Sequence, residues 1–336
     1  MFPRPALSSC RRFATLSAIA ALLSASGCGG SSPTTPTPTP PSLALTLACP
    51  AFQSVPQTAA AGALVSYPSA VATGGRAPVS ISCKPASGQV FAAGTTTVTC
   101  TGTDAGAAAA SCSFAVLVTA APILKDTTFL AFGDSITSGE VTVPVTLGAG
   151  WSGREPLFKQ IVVPSVSYPT VLNTALSRRY ITQSISVVNA GRPNDQAAYA
   201  YPRFLTAFAA ARPEAVLLLM GYNDLDSTST ANAANRAIEL MAKEARNRGA
   251  RVFIATLTPT IPNRLRSEPE AILTYYNNTL RSLAFGEGAE LVDLYTAFLP
   301  SLNTLIGVDG LHPNEAGYAK IAELFEAAIR SELEAR

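Results

Sequence analysis

The sequence predicts two folded domains in series. Residues 43–120 read as a small antiparallel β-sandwich, and residues 127–336 as an α/β domain with a five-stranded parallel sheet between helical layers. Two observations carry this. Four of the six cysteines, Cys49, Cys83, Cys100 and Cys112, fall within one segment of short Val/Thr-rich runs, and none follows it. Beyond that segment, five apolar runs alternate with helix-length stretches, the pattern of parallel strands joined by crossover helices.

Taken in order, the chain begins with Arg4, Arg11 and Arg12 ahead of an apolar run over 13–23, then "SASGCGG". A positive flank, a short apolar core and small residues read as a signal peptide over 1–28, and the run is too short to span a bilayer. The small residues before Cys28 resemble a bacterial lipobox, with Ala25 where that pattern prefers Leu. That resemblance implies lipidation at Cys28 and membrane attachment through it; plain secretion is the other outcome of such a leader. Residues 29–42, "GGSSPTTPTPTPPS", place proline at nearly every second position and read as an extended tether.

In 43–120 the runs "LALTLAC", "ALVSYP", "VSISCKP", "TTTVTCTGTD" and "ASCSFAVLVT" alternate apolar and polar residues between Gly, Pro and Asp-Ala-Gly turns. Four cysteines in one segment of an exported chain read as two disulfides, with three connectivities open. A zinc site lacks both a CxxC pair and a nearby histidine. Through "ACP", the stretch "SGQVFAAGTTTVTCTGTDAGAAAASCSFAVLVT" and the paired cysteines, the segment resembles hyalin-repeat (HYR) domains. The resemblance implies an immunoglobulin-like extracellular module with a glycan or protein ligand and no catalysis. The preferred pairing is Cys83 with Cys100 and Cys49 with Cys112. Residues 121–126 read as a linker.

From 127 onward, "TFLAF", "SISVVN", "AVLLLM", "RVFIATL" and "AELVDL" read as buried strands. Helices are expected at "YPTVLNTALSRRY", "QAAYAYPRFLTAFAAARP", "TANAANRAIELMAKEARNRG" and "SEPEAILTYYNNTLRSLAFG". Gly249 ends the third, and Ser267 with Glu270 forms a capping box for the fourth. A last helix carries Tyr318, Ile321, Phe325 and Ile329 along one stripe. Residues 140–167 read as a long loop holding Trp151, Arg154 and Phe158.

Functional groups gather at the carboxyl ends of strands in such sheets. The first strand ends at "GDS" with Ser135, the second at "NAGRPND" with Gly191, and the third at "MGYND" with Asn223. After the fifth comes "VDGLHPNEAG", with Asp309 and His312, the single histidine of the chain. Each has a plain reading alone: Ser135 a helix cap, Asn223-Asp224 a turn, Gly191 a loop former. Together they meet a chemical need. A serine hydroxyl needs a base, a base of this kind needs a carboxylate to hold its tautomer, and an oxyanion needs fixed donors. The donors expected are the N–H groups of Ser135 and Gly191 and the Asn223 amide. Asp134 and Asp224 read as loop braces.

These blocks resemble the SGNH (GDSL-type) hydrolases, whose four namesake residues fall on Ser135, Gly191, Asn223 and His312. The resemblance covers 127–336, with "GDSI" for GDSL and with Asn194 where members often have a second glycine. It implies a flavodoxin-like α/β/α fold and hydrolysis of carboxylic esters through an acyl-enzyme on Ser135. Short acyl groups on glycans or lipids are the expected substrates, with Tyr222, Arg192 and Trp151 at the substrate and Met220 and Leu225 flanking. An acyltransferase, or a non-catalytic surface-binding protein, is the alternative. No cofactor is expected, and one histidine without cysteine in this domain argues against a metal. The 24 basic and 22 acidic residues are spread without runs, which excludes a nucleic-acid surface.

Overall fold

The computed structural model describes residues 43–145 and 158–335. The leader with Cys28, the Thr/Pro-rich tether, Trp151 and Arg154 lie outside the described residues. The first domain holds β1 (Thr46–Ala48), β2 (Gln53–Pro56), β3 (Ala63–Val65), β4 (Val71–Thr73), β5 (Ser80–Lys84), β6 (Gln89–Phe91), β7 (Gly94–Thr103) and β8 (Ala109–Thr119). Strands β2, β8, β7 and β5 form one sheet in that order, with β1–β4 and β3–β6 as separate pairs. Two-residue alternation turns Val98, Cys100, Phe114, Val116 and Val118 inward, where they pack with Val65, Tyr67 and Phe91. The β7–β8 turn is closed by Asp104, whose carboxylate accepts from the N–H groups of Arg76, Gly106 and Ala108 at 2.8–2.9 Å.

The sandwich is not wholly antiparallel as the sequence predicts, because β2 runs parallel to β8. Five further strands separate the two, a connection long enough to bring the chain back in the same direction. Both disulfides take the preferred pairing. Cys83–Cys100 joins neighbouring strands in register, and Cys49–Cys112 ties the segment after β1 to β8.

The second domain contains β9 (Thr128–Gly133), β10 (Glu140–Pro144), β11 (Phe158–Val162), β12 (Ser186–Gly191), β13 (Ala215–Leu219), β14 (Arg251–Ala255) and β15 (Glu290–Val292). Its helices are α1 (Ser135–Ser138), α2 (Tyr168–Arg179), α3 (Tyr201–Ala211), α4 (Thr228–Asn247), α5 (Glu270–Glu287), α6 (Leu294–Phe298), α7 (Leu302–Leu305) and α8 (Glu315–Leu333). Five strands pair in parallel in the order β12-β9-β13-β14-β15. Right-handed crossovers then put α3, α4 and α5 on one face and α2 on the other, where α8 joins it. Tyr168 of α2 stacks on Phe325 of α8 at 5.1 Å, and Tyr318, Ile321, Phe325 and Ile329 are all fully buried along the expected stripe.

Two local expectations are corrected. Residues 140–167 are not one loop, since β10 and β11 form an antiparallel hairpin registered from Glu140↔Val162 to Pro144↔Phe158. The alternation "EVTVP" is a strand signal that ends on proline, which an edge strand tolerates. The capping box at Ser267 and Glu270 is also absent: α5 starts after Pro269, and Ser267 Oγ instead bonds the Ile261 carbonyl at 2.8 Å. Further, the expected linker is tied down from Ile123 onward. The Gln183 carboxamide bonds both the N–H and the C=O of Leu124 at 2.6 and 2.8 Å. The N–H groups of Lys125 and Ala335 donate to Leu333 and Ile123.

Candidate active site

The order β12-β9-β13 makes β9 the strand at which the connections depart in opposite directions, the place where open α/β sheets bind their ligands. Ser135 sits there, two residues past β9, as the first residue of α1. Asp134 caps this short helix by accepting from Ile136 N–H at 3.0 Å, and its second oxygen accepts from Gly221 N–H at 3.3 Å. The cap thereby ties the turn after β9 to the turn after β13. Asp224 braces the next loop, accepting from Ala197 and Ala198 N–H. Both carboxylates act as the loop braces expected of them.

Ser135 Oγ lies 2.9 Å from His312 Nε2, and His312 Nδ1 lies 2.6 Å from Asp309 Oδ2. All three side chains are buried. Asp309 and His312 meet across one turn of the loop before α8, where Gly310 takes a φ of +87° that only glycine adopts at little cost. Asp309 Oδ1 accepts from the N–H groups of Leu311 and His312, both at 3.1 Å, so this carboxylate shapes the loop and faces the imidazole at once. Burial pushes the Asp309 carboxyl up, but the hydrogen bond and charge of His312 outweigh it and hold the group below the usual carboxylate range.

Gly191 is brought to the site, but its N–H is already used. It donates to Asn189 Oδ1 at 2.9 Å, a side chain folding back over two residues. The expected donor role of Gly191 is therefore revised. Glycine is needed here for space: a Cβ would stand 2.1 Å from the Ser138 nitrogen and 2.5 Å from the Thr137 carbonyl carbon. Three residues on, Asn194 takes a φ of +59°, and its N–H has no partner among the described residues. Asn223 sits in the turn after β13 and donates from Nδ2 to the Asp195 carbonyl at 2.9 Å. An amide nitrogen has two protons, so one remains.

Asn194, Asn223, Tyr222, Asp226, Arg266 and Glu268 line a cavity of about 440 Å³. The Tyr222 hydroxyl is anchored to Thr258, and burial pushes it well above the tyrosine range. Arg192 is largely exposed and pairs with Asp195 at 3.1 Å. Met220 and Leu225 are buried in the core cluster.

Arg203 is a brace that sequence reasoning missed. From α3 it donates to the carbonyls of Gly133 and Ala190 at 2.9 and 2.6 Å, pairs with Asp195, and covers the Phe132 ring at 3.9 Å. One guanidinium thus locks the ends of β9 and β12. The signal was a single arginine in the apolar helix "YPRFLTAFAAA".

Burial pushes Asp134 up to about 6 against its ordinary 3.8. A carboxyl whose folded value is raised holds its proton in the folded state, so its contribution to stability falls as pH rises from 3.8 to about 6. Asp134→Asn removes that slope. Relative to the variant, the wild type is expected to lose roughly 2 kcal/mol between pH 4 and pH 7. Chemical denaturation at both pH values checks this; an equal difference at the two would show that the group does not titrate there.

Fold and site together define a carboxylic ester hydrolase. Residues 131–320 match the model of the GDSL-like Lipase/Acylhydrolase family, and residues 39–118 match that of the HYR domain. The chain belongs to the GDSL-like lipase/acylhydrolase family. Among solved structures it is similar to the lipase/acylhydrolase from Enterococcus faecalis, at 20% identity and a TM-score of 0.50, over 62% of this chain and 98% of that one. It also matches the acetylxylan esterase Axe2 from Geobacillus stearothermophilus, at 20% identity and a TM-score of 0.47, over 61% of this chain and 94% of that one. No curated protein matches.

Proposed function

We propose that the protein is an exported serine esterase that works through an acyl-enzyme on Ser135. The observation that carries this is the unbroken path from Ser135 Oγ through His312 to Asp309, at 2.9 and 2.6 Å. His312 Nε2 takes the hydroxyl proton as Oγ attacks the ester carbonyl, and Asp309 holds the proton of Nδ1 and steadies the imidazolium. The oxyanion is met by the N–H of Ser135 at the start of α1, the second Asn223 amide proton, and the N–H of Asn194 in place of that of Gly191. His312 then protonates the departing alcohol, and water releases the acid by the same steps in reverse.

Short acyl groups on glycans or envelope lipids suit the polar cavity beside Asn223, whose carboxylates, carboxamides and guanidinium can meet hydroxyl groups. Tyr222 supplies a fixed wall to it, Arg192 stands exposed to meet a sugar or anionic leaving group, and Trp151 belongs to the same proposal. Export accords with the leader, the two disulfides and the HYR match. Cys28 would be the lipid anchor. Among the described residues no helix is long and apolar enough to cross a membrane. The HYR domain would hold the enzyme on a glycan or protein ligand.

An ester panel tests the substrate reading. Acetyl esters and acetylated xylan are expected to exceed long-chain acyl esters in kcat/KM by about tenfold or more. A preference for the long chains overturns it.

A further inference from the structure

Glu140 is a buried carboxylate that none of these steps uses. It is the residue after Gly139, the left-handed C-cap of α1, and it opens β10. Its side chain is 9% exposed, and Oε1 lies 3.8 Å from His312 Nε2, the nitrogen that meets Ser135 Oγ. Among the described residues the carboxylate has no hydrogen bond, and no lysine or arginine pairs with it. Its backbone is pinned: the Glu140 carbonyl accepts from the Tyr318 hydroxyl at 2.5 Å, and the residue is registered to Val162. Burying an unpaired carboxylate costs free energy unless a polar partner meets it.

A gap of 3.8 Å is too long for a direct hydrogen bond, yet one water can bond both atoms at ordinary distances. We propose that Glu140 and His312 together hold the water that hydrolyses acylated Ser135. The proposal rests on the acyl-enzyme reading. Once the alcohol has left, Nε2 is unprotonated and faces the acyl carbon. The water gives one proton to Nε2 as its oxygen bonds that carbon, while its second O–H donates to Glu140 Oε1. Collapse of the tetrahedral species breaks the bond from carbon to Ser135 Oγ, and the proton on Nε2 passes to Oγ. Acid leaves, and no other reactant is consumed. Glu140 thereby favours water over alcohols as the acyl acceptor, since an alcohol has only the one O–H that Nε2 requires.

The readout is the product ratio with p-nitrophenyl acetate in buffer containing methanol, as methyl acetate over acetate. With the products of the enzyme-free reaction subtracted, this ratio counts only molecules that turn over, so partial loss of folded protein leaves it unchanged. Glu140→Gln keeps the size and removes the charge-assisted acceptor, and the ratio is expected to rise about fivefold. Glu140→Ala is expected to raise it further. A Glu140→Gln ratio equal to that of the wild type overturns the proposal and leaves Glu140 as packing around His312. Ser135→Ala should give neither enzymatic product; if it does, the acyl-enzyme reading fails on its own account.

Discussion

Ser135→Ala is expected to lower kcat by about a millionfold, the scale on which removing one member of a cooperating serine triad acts. The loss should be confined to chemistry. Ser135 Oγ contacts His312 in a pocket whose frame is set elsewhere: Asp134 caps α1, Asp309 shapes the histidine loop, and Arg203 closes the strand ends. The variant should therefore keep the wild-type unfolding free energy to within about 1 kcal/mol, the net worth of one hydrogen bond. Residual turnover above solution would come from the oxyanion donors. A serine-reactive fluorophosphonate provides the direct check, labelling the wild type once and the variant not at all. Undiminished turnover in Ser135→Ala would remove the serine mechanism.

Asp309→Asn is expected to cost about 10⁴-fold in kcat with little change in fold, the size seen when a triad imidazole is held in the wrong tautomer. The geometry here says why. Oδ1 accepts from two backbone N–H groups, those of Leu311 and His312. In asparagine only the carbonyl oxygen can fill that place, so the amide NH₂ is turned toward His312 Nδ1. Nδ1 must then accept, which puts the imidazole proton on Nε2, where it blocks receipt of the Ser135 proton. Steady-state kinetics with the labelling rate beside them test this, and both should fall together. A loss below about tenfold would mean that Asp309 serves the loop alone.

Much of the fold was legible because periodicity reports burial. Runs such as "AVLLL" in β13 are apolar on both faces, which only a sheet covered on both sides requires. The two-residue alternation in β7 and β8 likewise marked one buried face. What escaped were relations between distant strands. Nothing near β2 announces that its partner is β8 or that they run in parallel. The β10–β11 hairpin was masked by Pro144 and by the glycine-rich stretch that follows it.

At the candidate site, residue types were readable and directions were not. Ser135, Asp309 and His312 stood out because the chemistry asks for those side chains and the chain has one histidine. The direction of a backbone N–H is invisible in a sequence, and nothing in "NAG" shows that the Asn189 side chain takes the Gly191 N–H. Glu140 and Arg203 are hidden for a related reason, since charged residues are ordinarily solvated and only the fold reveals that one is buried and the other turned onto strand ends.

The Cys49–Cys112 bond has a mechanical meaning whenever the two ends of the first domain are drawn apart. A pull between the chain ahead of Cys49 and the chain beyond Thr119 passes through the sulfur bridge to Cys112 and on along the end of β8. The 63 residues of separation between those cysteines, about 200 Å if drawn straight, are shunted out of the load path. The chain of strands β2 to β7 lies outside that covalent path, so the first domain does not unravel between the two cysteines for as long as its cystine stays oxidised.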